Sequence, residues 1–418
     1  MAKKTINDLS KIKKVFFIGI GGIGISAGAK LTLSRGMKVS GVNDEESPKT
    51  LDSLREAGVK IIYLKDFKEL PDADLYVYSD AWIYRGPEII ENARATGKPV
   101  LSYFEFLGLV ASEYKVIAVS GTHGKTTTTA MIAGIMIDAG LDPTVVVGSF
   151  MKKLNTNFRA GKSEYMVVEA DEYNRHFLNF HPYIGVVTNI EADHLDYFKD
   201  FPDIKNAFDK FLAQSENKIV DYKKYLTKVP KLFIPGEHNR QNAAAALAVV
   251  DILKIKEANA QKSLAEFSGT WRRLEKRGVT KEGTIIYDDY AHHPTEIRAS
   301  IEALRELYRE KKIVILFQPH LYSRTKALFD DFTKCFKGAD KVLLLPIYFA
   351  REKKDESVSS EKLAEAITAS GEDAQAFSDF KSAEEFVKTL NLGPEDVFVT
   401  MGAGEAYKVA DRIFRLDF

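Results

Sequence analysis

The run Val116-Ile-Ala-Val-Ser-Gly-Thr-His-Gly-Lys-Thr-Thr-Thr-Thr129 constrains this chain more than any other stretch. Val116 to Val119 is an apolar, mostly β-branched run that reads as a buried strand. It breaks at Ser120-Gly121, and Thr126 to Gly134 reads as the start of a helix. A strand, a glycine turn carrying Lys then Thr, and a helix together make a phosphate cradle. Loop N–H groups and the positive end of the helix face the anion, Lys125 reaches the terminal phosphates, and the Thr126 hydroxyl can hold Mg²⁺. The general pattern places its first glycine where this chain has Val119; its own Gly121 comes later. The bland alternative is a Gly-Lys turn with no ligand, and the flanking strand and helix argue against it.

At 418 residues the chain is too long for one core and suits about two to four domains. Lys+Arg and Asp+Glu both number 59, so bulk charge argues for neither nucleic acid nor an anionic membrane as partner. The single Cys335 excludes an internal disulfide and a Cys-based zinc cage, and it fits a reducing cytoplasm. The first residues, MAKKTINDLSKIKK, contain no apolar leader core, and no run approaches the ~18 apolar residues of a membrane span. The expectation is a soluble cytoplasmic protein.

Val15 to Ile18 is a short apolar strand, followed by Gly19-Ile-Gly-Gly-Ile-Gly24 and a helix over Ile25 to Ser34. A second strand starts at Lys38, giving the first βαβ of a nucleotide-binding unit. The dinucleotide version wants an acidic residue at the end of that second strand. Here the chain reads Val42-Asn43-Asp44-Glu45, so a carboxylate is near but its register is open. Alone, this glycine pattern also fits a tight turn that only permits close packing. Strands at Leu75 to Ser79 and Pro99 to Leu101 continue the unit to about Tyr114.

Beyond the phosphate loop, two apolar strands end in polar residues, where ligands sit in open parallel sheets. Tyr165 to Val168 ends in Glu169-Ala-Asp-Glu172, and Ile184 to Thr188 ends in Asn189-Ile-Glu-Ala-Asp-His-Leu-Asp196. Carboxylates and an imidazole beside a phosphate loop suit Mg²⁺. Helix capping by Glu169 or Asp171, and a structural role for His194, are the plain alternatives. Pro235-Gly-Glu-His-Asn-Arg-Gln-Asn242 is either a loop or a nucleotide contact before a small-residue helix. A third unit begins near Trp271. Its strands at Thr284 to Tyr287, Ile313 to Phe317, Lys341 to Leu345 and Val397 to Thr400 imply another mostly parallel sheet. Arg351 to Ser360 reads as a solvated charged loop. Of eight histidines, His123, His194, His238, His292, His293 and His320 all fall in strand-end motifs, and such clustering favours a site.

Taken in order, these motifs resemble the Mur ligases of peptidoglycan synthesis over nearly the whole chain. The resemblance rests on Gly19 to Ser26, Gly121-Thr-His-Gly-Lys-Thr126, Glu169-Ala-Asp-Glu172, Thr188 to His194 and Gly236-Glu-His-Asn-Arg-Gln-Asn242. It continues in Arg272-Arg273, Asp288-Asp-Tyr-Ala-His-His-Pro294, Phe317-Gln-Pro-His-Leu-Tyr-Ser-Arg-Thr325 and Met401-Gly-Ala-Gly404. It implies an α/β fold of three domains: a Rossmann-like UDP-binding domain (1–113), a central P-loop ATPase-like domain (114–270) and a C-terminal Rossmann-like domain (271–418).

The implied chemistry is an ATP- and Mg²⁺-dependent amide ligation of L-alanine to the lactyl carboxylate of UDP-N-acetylmuramate, by a monomer or weak dimer. Under the resemblance, Gly19, Gly21, Gly22, Ile23 and Gly24 hold the UDP-sugar diphosphate. Gly121, Thr122, His123, Gly124, Lys125, Thr126 and Thr127 hold ATP phosphates. Thr126, Glu169 and His194 serve the metals, and Asn239 and Asn242 meet the adenine region. Arg273 and Asp289 reach the nucleotide; Tyr290, His292, His320 and Arg324 surround the amino acid. Lys125, Glu169, His194, Arg273, His292 and Arg324 are the implied catalytic set, with His292 or His320 taking the amine proton.

Three departures stand out. The segment from Phe211 to Pro235 is several tens of residues shorter than is usual in the family. Leu321 stands where many members have Arg, and Asn43 where Asp is frequent. The main alternative function is the recycling ligase that joins a tripeptide to the same sugar nucleotide. A nicotinamide dehydrogenase, suggested only by Gly19 to Gly24, leaves the Lys125 loop unexplained.

Overall fold

The structure is a computed structural model of the 418-residue chain and describes residues 9–44, 48–195, 197–349 and 352–414. Residues 1–8 of the opening stretch, and the charged positions Glu45, Asp196 and Arg351, lie outside the described residues.

Three sheets organise the described chain. The first comprises β1 (Lys14–Ile18), β2 (Lys38–Asn43), β3 (Lys60–Tyr63), β4 (Leu75–Tyr78) and β5 (Val100–Ser102), all parallel in the order β3-β2-β1-β4-β5. The second is built from β6 (Lys115–Ser120), β7 (Thr144–Met151), β8 (Thr156–Arg159), β9 (Tyr165–Glu169), β10 (Ile184–Val187) and β11 (Asn217–Ile219). Its order is β11-β10-β6-β9-β7-β8, parallel except for the β7–β8 pair. The third contains β12 (Glu275–Val279), β13 (Ile285–Asp289), β14 (Lys312–Phe317), β15 (Lys341–Leu344), β16 (Ala374–Ala376) and β17 (Asp396–Met401). Its order is β12-β13-β17-β14-β15-β16, with only β12 antiparallel to its neighbour. The expected α/β architecture with mostly parallel sheets is therefore present.

The central strands read as continuous apolar runs because helices cover both faces of a parallel sheet. β1 opens on exposed Lys14 and then buries Val15 to Ile18, and β14 opens on Lys312 and buries Ile313 to Phe317. Two apolar clusters lie on the third sheet, one around Phe317, Phe332 and Phe336, the other around Phe398, Leu343 and Val409. The first sheet packs Phe16, Tyr76 and Trp82 together. β3, β7, β8, β11, β12 and β16 were not legible in the sequence. Most are short or at an edge; β7 still left a trace in Val145-Val-Val147.

The chain forms two compact units. One contains Met1–Ile190, Lys205–Pro230 and Ala243–Ala265, with the first two sheets; the other contains Glu191–Ile204, Lys231–Asn242 and Glu266–Phe418, with the third. No helix among the described residues is long and apolar enough to cross a membrane.

Candidate active site

In the first unit, β6 delivers the phosphate loop from the middle of its sheet, between β10 and β9. Gly121 adopts φ +133°, and a Cβ there would lie 2.1 Å from the Thr188 hydroxyl, so no other residue fits. Thr188 and Asn189, just past β10, wire the loop in place. The Thr122 N–H donates to the Asn189 carbonyl at 3.0 Å and the His123 N–H to Asn189 Oδ1 at 2.9 Å. In return, Asn189 Nδ2 donates to the His123 carbonyl at 3.1 Å, and so does the Thr188 hydroxyl.

The helix Lys125–Asp138 starts directly after Gly124, with no side-chain hydrogen bond capping it, and a helix N-terminus of this kind suits an anion. Lys125 Nζ donates to the carbonyls of Gly121 (2.6 Å) and Thr122 (3.1 Å) and to Glu172 (2.9 Å). Burial alone would lower the Lys125 pKa. The carboxylates of Glu172, Asp171 and Glu169 outweigh it and raise it, so Lys125 is a cation. Thr126 Oγ1 donates to Glu169 Oε1 at 3.0 Å, while Glu169 Oε2 accepts the Gly148 N–H at 2.8 Å. Thr127, the next residue of the helix, is buried as well. A hydroxyl and a carboxylate held this close are hard oxygen donors of the kind Mg²⁺ takes. Glu169 caps no helix.

The other glycine loop follows β1, beside the point where the strand order of the first sheet reverses. The Gly21 N–H donates to Asn43 Oδ1 at 3.0 Å, and a Cβ on Gly21 would meet the Asn43 amide at 2.6 Å. Asn43 therefore serves the loop backbone through its side-chain oxygen. Gly22 precedes the helix Ile23–Ser34, which includes Ile23 and Gly24 in its first turn.

Also in this unit, His176 is buried between two carboxylates. Nε2 lies 2.6 Å from Asp80, after β4, and Nδ1 lies 3.7 Å from Asp171, after β9; the ring stacks on Phe104 at 4.1 Å. Burial opposes protonation, but Asp171 and Asp80 together raise the imidazole to about 9 from 6.5. Since the folded value is the higher one, this stabilisation is complete below pH 6.5 and is lost as pH rises through about 9. The span corresponds to roughly 3 kcal/mol. We expect the thermal midpoint to fall over that interval in the native protein but not in His176→Gln. Superimposable profiles for the two proteins would remove the pair from the stability account.

In the second unit, Asp193 and Arg324 form a buried ion pair, Nε to Oδ1 at 3.1 Å and Nη2 to Oδ2 at 3.4 Å. Burial would raise the Asp193 carboxyl, but Arg324, with His194, His292 and His293, holds it well below the usual carboxylate range. His194 follows at φ +56°, its N–H donating to Asp193 Oδ1 at 2.7 Å. Arg324 Nη1 also faces His320 Nδ1 at 3.1 Å, and an arginine can only donate, so that ring nitrogen accepts. A row of rings crosses the strand ends: Tyr290 to His292 at 5.5 Å, His292 to His320 at 5.8 Å, and His320 stacked on Tyr348 at 5.5 Å. His292 Nδ1 sits 3.0 Å from the Tyr290 carbonyl, and burial lowers the ring to about 4.

Asn239 Nδ2 donates to the Pro235 carbonyl at 2.6 Å, and Asn242 Nδ2 to Asn239 Oδ1 at 3.4 Å, so both amides are partly used inside the loop-to-helix turn. Asp289, raised to about 6 by burial, accepts the Ser300 hydroxyl. Arg273 places its guanidinium 5.0 Å from the centre of the Tyr290 ring. Its neighbour Arg272 is buried on Asp288 at 2.8 Å. Thus the structure brings together Lys125, Thr126 and Glu169 in one unit, and Tyr290, His292, His320 and Arg324 in the other. The candidate metal side chains divide: Thr126 and Glu169 belong to the first unit, His194 to the second. Sequence reading gave no role to Glu172, Asp193, Arg272 or Tyr348. The first three lie inside or beside quoted motifs; nothing local marked Tyr348.

Three family models match successive stretches: "Mur ligase family, catalytic domain" over residues 14–115, "Mur ligase middle domain" over 119–229, and "Mur ligase, glutamate ligase domain" over 272–404. The UDP-N-acetylmuramate–L-alanine ligase of Clostridium acetobutylicum is 40% identical over 455 positions, covering 97% of this chain and 98% of the relative. That of Caldanaerobacter subterraneus is 39% identical with the same coverage. These alignments are longer than the 418-residue chain, so the relatives carry residues it lacks.

Among solved structures, the UDP-N-acetylmuramate–alanine ligase of Thermotoga maritima gives a TM-score of 0.81 at 27% identity, covering 97% of this chain and 98% of that one. A murein peptide ligase from Psychrobacter arcticus shares the fold, with a TM-score of 0.69 at 22% identity and the same coverage. Phosphate loop, acidic strand ends and histidine-arginine cluster thus occur in a chain matched along nearly all its length, and that chain belongs to the Mur ligase family.

Proposed function

We propose that this protein joins L-alanine to the lactyl carboxylate of UDP-N-acetylmuramate at the expense of ATP, through an acyl phosphate, in peptidoglycan precursor synthesis. The near-full-length likeness to enzymes named for that ligation carries the reading. We assign residues 1–113 to the UDP-sugar, 114–270 to ATP and 271–418 to the amino acid, in a cytoplasmic monomer or weak dimer.

ATP supplies the phosphoryl group that activates the carboxylate, and Mg²⁺ offsets the phosphate charge. The chain's own task is positioning and neutralisation. The loop Gly19 to Gly24 receives the sugar-nucleotide diphosphate at the N-terminus of the helix Ile23–Ser34. Lys125 exchanges the carbonyls of Gly121 and Thr122 for phosphate oxygens, with Glu172 as its tether. Thr126 and Glu169 would hold one Mg²⁺ and His194 a second. Asn239 and Asn242 serve the adenine region, and Arg273 and Asp289 the rest of the nucleotide. Arg324 binds the amino-acid carboxylate beside Tyr290 and His320.

For the amine proton, His320 Nδ1 is committed to Arg324. His292 Nδ1 faces the Tyr290 carbonyl, which makes it the protonated nitrogen and leaves Nε2 as acceptor. At about 4 the His292 ring is neutral at physiological pH, so we assign its Nε2 as the atom that takes the proton.

Phosphate release with UDP-N-acetylmuramate and ATP, over a panel of amino acids and a cell-wall tripeptide, tests the reading. L-alanine should give the highest rate. A clear preference for the tripeptide would overturn the assignment in favour of the recycling reaction.

A further inference from the structure

The stretch between the helices Phe201–Ala213 and Glu237–Leu253 is the one the sequence marks as short for the family. Here it consists of β11 and a few turns around the 3₁₀ segment Lys223–Lys228. Two tyrosines only three positions apart tie it to different places. The Tyr225 hydroxyl donates to Asp251 at 2.7 Å, on the helix Glu237–Leu253. The Tyr222 hydroxyl donates to the backbone carbonyl of Thr188.

Thr188 is the residue against which the phosphate loop is built. Its N–H continues the β10–β6 ladder to Ser120 at 2.9 Å, its hydroxyl donates to the His123 carbonyl, and that same hydroxyl fills the space a Gly121 side chain would need. The next residue, Asn189, holds the amides of Thr122 and His123. β10 ends at Val187, so the Thr188 carbonyl is past the strand, in a residue only 6% exposed. A buried carbonyl needs a donor, and the shortened segment supplies one.

We infer that Tyr222 is a positioning residue for the nucleotide: by holding Thr188, it keeps the Gly121–Gly124 loop in its phosphate-accepting form. The inference rests on the reading of that loop as the ATP site. It also gives the short segment a function, bracing the site from behind with one side chain.

The test compares the native protein with Tyr222→Phe and Tyr225→Phe. Tyr222→Phe keeps the ring and removes only the donor. Its KM for ATP should rise about fivefold, the scale of one net hydrogen bond, with kcat little changed. Amide hydrogen exchange in the peptide carrying Thr122 and His123 should quicken in Tyr222→Phe. Tyr225→Phe should lower the thermal midpoint while leaving KM for ATP and loop exchange as in the native protein.

An unchanged KM together with unchanged loop exchange in Tyr222→Phe would overturn the inference. Equal effects from both variants would also overturn it, because they would mean a general loosening of the segment. If the native protein released no phosphate from ATP, the functional reading would fail instead, and loop exchange would still decide whether Tyr222 braces the loop.

Discussion

Lys125→Ala should lower turnover by at least about a thousandfold, the scale of removing a principal charge from a phosphoryl-transfer transition state. Its ammonium is the cation at the mouth of the loop, and burial there makes its charge worth more than it would be in water. Truncation also takes the cation from Glu172, which is 2% exposed, paired with Lys125 at 2.9 Å and already raised to about 7 by burial, so a buried acid is left where phosphate must enter and no positive charge meets it. The loop should keep its path, since Thr188 and Asn189 still hold it after the Lys125 bonds to the Gly121 and Thr122 carbonyls are lost. Steady-state phosphate release, with a folding check by circular dichroism, reads this. A folded variant with near-native turnover would sink the assignment of the loop.

The second large effect is on stability. Arg272→Ala should cost about 3 to 5 kcal/mol of unfolding free energy, the usual result of breaking a buried ion pair from one side. Arg272 is 5% exposed and Asp288 1%. Its guanidinium donates to Asp288 at 2.8 Å, to the Gly402 carbonyl at 2.7 Å and to the Gly404 carbonyl at 3.1 Å. It lies 4.5 Å from the centre of the Tyr407 ring and 5.2 Å from that of Tyr290. Burial already pushes the Asp288 carboxyl upward against the pull of Arg272, so removing the arginine leaves an acid with little reason to ionise. Denaturant midpoints at constant slope give the difference. A loss below about 1 kcal/mol would place Arg272 with ordinary surface pairs.

This pair of adjacent arginines shows what the sequence could and could not reveal. Arg272 and Arg273 are chemically identical letters in one motif, and the resemblance assigned a role to the second alone. Backbone conformation separates them: Arg272 sits at φ +56° and turns into Asp288, while Arg273 lies over Tyr290. No periodicity reports a left-handed residue. Asn43 is a similar case, since its meaning depends on how closely Gly21 approaches it. In contrast, β1, β6, β9, β10, β13, β14 and β17 were legible because each buries an apolar run and ends in a glycine loop or a polar cluster. The two compact units interleave along the chain, taking 191–204 and 231–242 out of the middle, and no local composition marks those crossings. Residue types in the site were therefore readable from motif and order; their partners, Glu172 for Lys125 and Asp193 for Arg324, came only from geometry.

The central claim is that the lactyl carboxylate is activated as an acyl phosphate before the amine attacks. In that sequence a carboxylate oxygen bonds to the γ-phosphorus as the bridging oxygen–γ-phosphorus bond breaks and ADP leaves; the deprotonated amine then attacks the acyl carbon, and the carbon–oxygen bond breaks to release phosphate. UDP-N-acetylmuramate carrying heavy oxygen in its lactyl carboxylate, incubated with ATP, Mg²⁺ and L-alanine, tests this directly by mass spectrometry of the released phosphate. The account predicts one heavy oxygen in the phosphate for each amide bond formed. Amide product accompanied by wholly unlabelled phosphate would contradict it.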